Sequence, residues 1–394
     1  MKPSLTEISL LVQDPERLMH GRCRARAEDP ALHSAVIKLR ADADAARHEG
    51  PFTIVDKDIV PPSGDKHDYI SRGPYWWPNP ETEDGLPYVR RDGEVNPERD
   101  AFDRHTLQAM IDAVETLALG WYFTEEPAYA ERAALLLRTF FLDEATRMNP
   151  NLTFGQGIPG RCQGRGIGII ETRTLASRWV DAVVLLRSSP ALEAADWDGL
   201  RSWVGAYLNW LLESDHGRDE AEKENNHGTA YDLQVAVFSL FVGREGLARD
   251  VLSAAVDRRI STQIEPDGAQ PYELARTKAL SYATMNLDLY IDLASVADKV
   301  GIDLWHAAAP NGGSIRAALD WLVPFWTQAE PWPYEQIVPF SYKRAIDPLR
   351  RAAWAYQAPR YEAVIGKLPL PPSVLAEART QLTCPPYPRA NRSL

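Results

Sequence analysis

From residue 101 onward, apolar residues recur at three- and four-residue steps in one segment after another, and strand-like alternation is scarce. In AFDRHTLQAMIDAVETLALGWYF, Leu107, Met110, Ile111, Val114, Leu117 and Ala118 fall on one helical stripe. Comparable stretches lie at about 128–143, 168–187, 198–213, 229–242, 245–258, 274–300, 312–326 and 346–358, with SSP, VGREG and PNGG among the gaps. The best candidate strand is PFTIVDKDIV, 51–60. Helices with no sheet to lean on must bury their stripes against one another. The pattern therefore predicts an all-α chain, an α/α toroid built as an incomplete barrel of antiparallel helix hairpins, in a single domain spanning 1–394. A linear helical solenoid is the alternative, but no fixed repeat period is visible. Residues 380–394 read as a loose tail.

A chain of 394 residues, 45% hydrophobic and 25% charged, buries enough surface to need no disulfide or metal staple. Its 43 basic and 55 acidic residues leave a net charge of −12, which argues against nucleic acid as the main partner. A polyanionic substrate stays admissible, because a basic cleft can sit inside an acidic shell. Cys23, Cys162 and Cys384 are far apart, and neither CxxC nor HExxH occurs, so no disulfide framework, metal site or cofactor is indicated. No apolar run reaches the ~18 residues of a membrane span. The first residues lack the apolar core of a secretory signal. The expectation is a cytoplasmic protein, or a periplasmic or secreted one whose leader has been trimmed; the oligomeric state is left open.

Two loops break the helical pattern. Segment 61–100 carries seven prolines together with Tyr69, Tyr75, Trp76, Trp77 and Tyr88. So many rings argue for an ordered loop, one that either plugs the base of the helical ring or lines a groove where sugar faces stack. Trp76 and Trp77 cannot face the same way on an extended segment. Segment 151–167, NLTFGQGIPGRCQGRGI, offers backbone amides and the guanidinium groups of Arg161 and Arg165 to an anion.

The chemistry concentrates in two further segments. Asn226 and His227, in ENNHG, stand just before an apolar helix; an Asn there also serves as an ordinary helix cap. In PDGAQPYELARTKALSY, a turn leads into a predicted helix bearing Glu273, Arg276 and Tyr282. Six helical steps set Arg276 and Tyr282 roughly 120° apart, so they share a site only if Arg276 lies at the helix entrance and reaches around. The plainer alternative makes Glu273 and Arg276 a surface i,i+3 pair and Tyr282 a core residue. Together the segments supply an amide, an imidazole, a guanidinium and a phenol, without an obvious carboxylate dyad of the kind glycoside hydrolysis uses. That kit suits removal of a proton next to a carboxylate. Arg276 and Asn226 would neutralise a uronate carboxylate. His227 or a deprotonated Tyr282 would take the C5 proton, and Tyr282 would protonate the oxygen leaving C4. With an unperturbed pKa of ~10, the phenol needs the nearby cation to ionise.

HDYISRGPYWWPNP (67–80), NNHGTAYDLQ (225–234) and ELARTKALSYATMN (273–286) together resemble the alginate lyase superfamily, and polysaccharide lyase family 38 in particular. The resemblance covers roughly 60–350. It implies an α/α toroid that cleaves alginate or glucuronan by cofactor-free β-elimination, leaving 4,5-unsaturated uronate ends. It makes Tyr282 the base and acid, Asn226 and Arg276 the carboxylate neutralisers, and His227 a second base or the group that tunes Tyr282. In mannuronate or glucuronate linkages proton and leaving group depart from the same side, and one tyrosine can serve both steps. Guluronate needs His227 facing Tyr282 across the ring.

Around this centre, Arg161, Arg165, His67, Tyr75, Trp76 and Trp77 are candidate substrate-binding residues. Glu171 and Arg173 are a candidate buried pair orienting the site, or an ordinary helix-face pair. PWPYEQ (331–336) is a candidate cleft rim. Two rival readings stand beside the lyase. One is a glycoside hydrolase on uronyl oligosaccharides, drawing its acids from Asp100, Asp103 and Glu171; the other is a non-catalytic carbohydrate-binding helical protein.

Overall fold

The computed structural model describes residues 9–388, and helix dominates them. In chain order come α1 (Pro15–Arg26), α2 (His33–Ala46), β1 (Ile70–Arg72), β2 (Trp76–Trp77), β3 (Val89–Arg90), α3 (Arg104–Thr124), α4 (Pro127–Leu137) and β4 (Phe154–Gly157). Next are α5 (Val180–Leu186), α6 (Ala194–Glu213), α7 (Asp215–Ala221), α8 (Asn226–Val242), α9 (Glu245–Ala255), α10 (Ser261–Gln263) and α11 (Pro271–Leu274). The chain closes with α12 (Ala279–Asp298), α13 (Ile315–Trp326), α14 (Ile346–Ala355), α15 (Pro359–Ile365), α16 (Pro372–Ala376) and α17 (Thr380–Thr383). The all-α class holds. All six stripe residues expected on α3 are buried.

These elements form two compact units. One holds Ala43–Lys223 and Ala230–Ala248; the other holds Glu224–Thr229 and the described parts of Ile8–Asp42 and Arg249–Leu394. In the first unit, the Phe141 ring packs 4.9 Å from Trp179 and 4.7 Å from Trp203. In the second, Tyr290, Ile315, Leu319, Leu322, Trp326 and Leu349 are fully buried, and the Trp326 indole donates to the Thr284 hydroxyl at 3.1 Å.

Three expectations need correction. Segment 51–60 is not a strand. Its Lys57 ammonium is buried against Asp103 at 2.5 Å and Thr53 bonds the Thr146 carbonyl, so side chains pin it as irregular backbone. The short strands lie elsewhere: β1 runs parallel to β4, and β2 pairs antiparallel with β3 inside the 61–100 region. The end of the chain is not loose through residue 388. Leu382 is fully buried and Cys384 nearly so, and the Trp354 indole donates to the Pro385 carbonyl at 2.7 Å. A Cβ on Gly21 of α1 would lie 1.9 Å from the Leu382 carbonyl oxygen, which shows how tightly α1 covers this end. Residues 389–394 of the expected tail lie outside the described residues.

The predicted 274–300 helix is also two helices. α11 ends at Leu274, and α12 begins only at Ala279. The gap is held open by the strap at 335–337: Ala279 N–H donates to the Glu335 carbonyl at 3.0 Å and Ile337 N–H to the Thr277 carbonyl at 2.9 Å. Ahead of α11, the PDG turn requires glycine. Gly268 has φ +97°, and a Cβ there would lie 2.1 Å from the Ala317 carbonyl oxygen. Gly268→Ala should therefore cost about 1–3 kcal/mol in backbone strain alone. Denaturant unfolding measures it, and a midpoint equal to wild type would refute this account of the turn.

Candidate active site

Three side chains of the predicted kit sit half-buried in the second unit, at the starts of two helices. His227 is on the first turn of α8, Arg276 in the gap after α11, and Tyr282 on the first turn of α12. The break before α12 removes the helical-wheel obstacle to pairing the last two. Arg276 is off the helix, and its guanidinium lies across the Tyr282 ring, with Cζ 4.2 Å from the centroid and Nη2 donating to the phenolic oxygen at 3.1 Å. A cation this close to a phenol favours its ionised form. The Tyr282 backbone N–H closes on the Lys278 carbonyl at 3.0 Å, so the α12 helix itself aims the side chain.

Asn226 differs from the other three in being fully buried. Its backbone N–H donates to Glu273 Oε1 at 2.8 Å and its amide Nδ2 to Glu273 Oε2 at 2.7 Å, while Oδ1 finds no partner. The helix cap is the preceding residue: Asn225 Oδ1 accepts from His227 N–H at 3.2 Å. Glu273 is thus no surface partner of Arg276 but a carboxylate 1% exposed, and the sequence reading, which named it only as a helix residue or surface pair, missed its place in the site. Burial pushes its carboxyl above the usual range, opposed by the two Asn226 donors and then by the charges of His227 and Arg276.

A buried amide network backs these groups. Gln263 Oε1 accepts from Thr229 Oγ1 and from Asn286 Nδ2, both at 3.0 Å, and Asn286 Nδ2 also reaches Gln270 Oε1 at 2.9 Å. The strap is tied to α12 by Gln336 Nε2 donating to Ser281 Oγ at 2.9 Å. Segment 331–336 therefore does run beside the Arg276–Tyr282 pair. Tyr334 on it is 41% exposed and packs 5.3 Å from Trp332.

The other predicted residues belong to the first unit. Trp76 has the guanidinium groups of Arg161 at 5.1 Å and Arg165 at 5.8 Å over its ring. Arg161 Nε donates to the Tyr88 carbonyl at 2.8 Å. Arg165 Nη2 donates to Gln156 Oε1 at 2.8 Å, and burial works against its charge. Trp77 keeps different company, with Arg91 5.2 Å over its ring and its indole N–H on the Glu94 carbonyl at 3.0 Å. The two indoles thus diverge as extended backbone demands. The carbonyl of Tyr75 accepts from Arg91 N–H at 2.8 Å. His67 donates Nδ1–H to the Arg147 carbonyl at 2.6 Å, which sets its tautomer.

Glu171 is held from another part of the chain. Its Oε2 accepts from Tyr69 at 2.9 Å and Ser71 at 2.6 Å, and Arg104 stands 3.7 Å from Oε1. Burial, with the carboxylate beside it, keeps the Tyr69 phenol protonated. Arg173 donates to the Ile170 carbonyl at 2.9 Å. Asp103 is committed to Lys57 and the Ile70 N–H, and Asp100 pairs with His105 at the surface. Every acid named for hydrolysis is thus already engaged. Among the described residues, no three His, Cys, Asp or Glu side chains gather as a metal site, and no helix is long and apolar enough to cross a membrane.

Comparisons with known proteins identify the family. The family model described as alginate lyase matches residues 53–332. An alginate lyase from Bacteroides ovatus of known structure is 38% identical, superposes with a TM-score of 0.90, and is covered over 95% of this chain and 99% of its own. A variant of alginate lyase A1-III from Sphingomonas species A1, complexed with a tetrasaccharide, is 16% identical with a TM-score of 0.60, over 96% of this chain and 98% of that one. At that identity the likeness speaks for the fold alone. No curated protein sequence matches. The all-α class is shared with these lyases, a family of helical toroids. The chain belongs to the alginate lyase family and is a polysaccharide lyase.

Proposed function

We propose that the chain cleaves a polyuronate, either alginate rich in mannuronate or glucuronan, by metal-independent β-elimination that leaves 4,5-unsaturated uronate ends. The observation that carries this reading is the Arg276 guanidinium laid over the Tyr282 ring with Nη2 3.1 Å from the phenolic oxygen. The 38% identical structure being an alginate lyase supports the substrate class. The three motifs at 67–80, 225–234 and 273–286 support placement near polysaccharide lyase family 38.

In this reading Arg276 takes the carboxylate of the reacting sugar, and Asn226, whose amide nitrogen is held by Glu273, supports the site from its buried position. The Tyr282 phenolate takes the C5 proton. The electron pair of that bond forms the C4–C5 double bond as the C4–O bond breaks, and the proton passes from Tyr282 to the departing oxygen. His227 tunes the phenol, or supplies the opposite-face base that a guluronate unit needs. Arg161, Arg165, Trp76, Trp77, Tyr75 and His67 are assigned to substrate binding, with Trp76 and its two guanidinium neighbours suited to a uronate ring and its charge. Glu171 and Arg173 are assigned a supporting role behind them. Both units are read as one lyase domain, since α8 runs through both and the family match covers parts of each.

The test is near-ultraviolet absorbance during incubation with polymannuronate, polyguluronate and glucuronan, each with and without chelator. Rising absorbance, fastest on polymannuronate or glucuronan and unaffected by chelation, is expected. New reducing ends without absorbance would replace elimination with hydrolysis, and loss of the signal on chelation would overturn metal independence.

A further inference from the structure

The two catalytic segments are far apart in sequence, and a buried carboxylate ties them. Glu273 stands three residues before Arg276, and its acceptors are both spent on Asn226, the neighbour of His227. The bond to the backbone N–H satisfies one of the donors that a helix start leaves open, and it places a negative charge at the N-terminus of the 17-residue α8. A cap alone does not explain the second bond. Glu273 also grips the Asn226 amide nitrogen, and Asn226 Oδ1 is buried without a partner. No hydrogen bond to that oxygen therefore fixes which way the amide faces; the carboxylate does.

We propose that Glu273 is a positioning residue of the elimination: its two oxygens lock the backbone and amide of Asn226, and the lock sets His227 and Arg276 against the same sugar. This rests on the lyase reading of the site. The lock requires the anion, because a neutral carboxyl loses acceptor capacity and turns an O–H toward one of two N–H donors. The charged groups acting on Glu273 are His227 at the start of α8 and Arg276 after α11. Glu224, also near the start of α8, is engaged by the Tyr272 hydroxyl at 3.2 Å. Since burial raises the Glu273 carboxyl, the lock is complete above its titration and is lost as pH falls through it.

Glu273→Gln is the probe. Its NH2 replaces one of the two oxygens and faces an Asn226 donor, so the Asn226 amide must flip or lose a bond. The expected result is a kcat lowered about tenfold or more with KM within about twofold, and a pH–kcat profile that has lost the Glu273 step and keeps only the ascending limb of the Tyr282 phenol. The exchange variant Glu273→Gln with Asn226→Asp restores the pairing with donor and acceptor traded. It should exceed Asn226→Asp alone in kcat, because that single change sets two carboxylates face to face. This comparison stands even where Glu273→Gln alone does not fold. Wild-type kcat and an unchanged pH profile in Glu273→Gln, with only a lower unfolding midpoint, would reduce Glu273 to a helix cap and overturn the proposal. So would an exchange variant no better than Asn226→Asp. A wild-type enzyme that makes no unsaturated product from any uronate polymer fails the lyase reading itself, which separates the two failures.

Discussion

Tyr282→Phe is expected to lower kcat on polymannuronate or glucuronan by at least about 10³-fold while the polymer still binds. The proposed mechanism asks one oxygen to remove a proton and then return it to the leaving group, and a positioned acid–base group contributes roughly 10²–10⁴ in each such role. The ring itself is kept. The phenyl group stays beneath the Arg276 guanidinium, whose Cζ is 4.2 Å from the ring centroid, and the 3.1 Å bond to the hydroxyl disappears. Stability should therefore change by about 0.5–1.5 kcal/mol. Single-turnover absorbance measures the chemistry, and quenching of intrinsic fluorescence by short oligouronates measures binding. A variant keeping a tenth of wild-type turnover would sink Tyr282 as the base and shift that role to His227. The carbohydrate-binding alternative predicts no change at all.

The helical periodicity carried most of this fold because it depends only on local burial. The α3 stripe, α6, α8, α13 and α14 all fall where apolar spacing predicts them. α1 was invisible because its stripe is thin: PERLMHGRCRAR buries only Leu18, Gly21 and Arg22. The break between α11 and α12 was invisible for a deeper reason. Apart from Thr277, LARTKAL is made of residues that favour helix and holds no Gly or Pro to end it, and the gap forms where the strap at 335–337 recruits the backbone of 277–279. That tertiary override is what brings Arg276 onto Tyr282. The chemistry of the site was legible in residue types, and its geometry was not. Glu273 shows the same limit. An acid three residues before an arginine reads as a surface pair, and only its partner 47 residues away turns it into a buried lock.

Arg276→Ala is the second large effect expected, and it should differ in kind from Tyr282→Phe. Forming an enolate-like charge beside an existing carboxylate builds a second negative charge on the same sugar, and without the guanidinium that charge is opposed rather than met. Removing one such preorganised group costs about 10²–10³ in kcat. Because the same group holds the ground-state carboxylate, KM should rise as well, which Tyr282→Phe does not require. The cation also acts on the base it stacks upon. Its loss disfavours the phenolate, so the ascending limb of the pH–kcat profile should move to higher pH, and part of the lost activity should return in alkaline buffer. Arg276→Lys keeps a positive charge but neither the planar stack on Tyr282 nor the two-pronged hold on a carboxylate, so it should recover only a fraction. Steady-state rates across a pH series for both variants make the check. If Arg276→Lys equals wild type, the stacked geometry is incidental and bare charge suffices. If Arg276→Ala raises KM with kcat intact, Arg276 binds substrate uniformly and takes no part in the charge that develops.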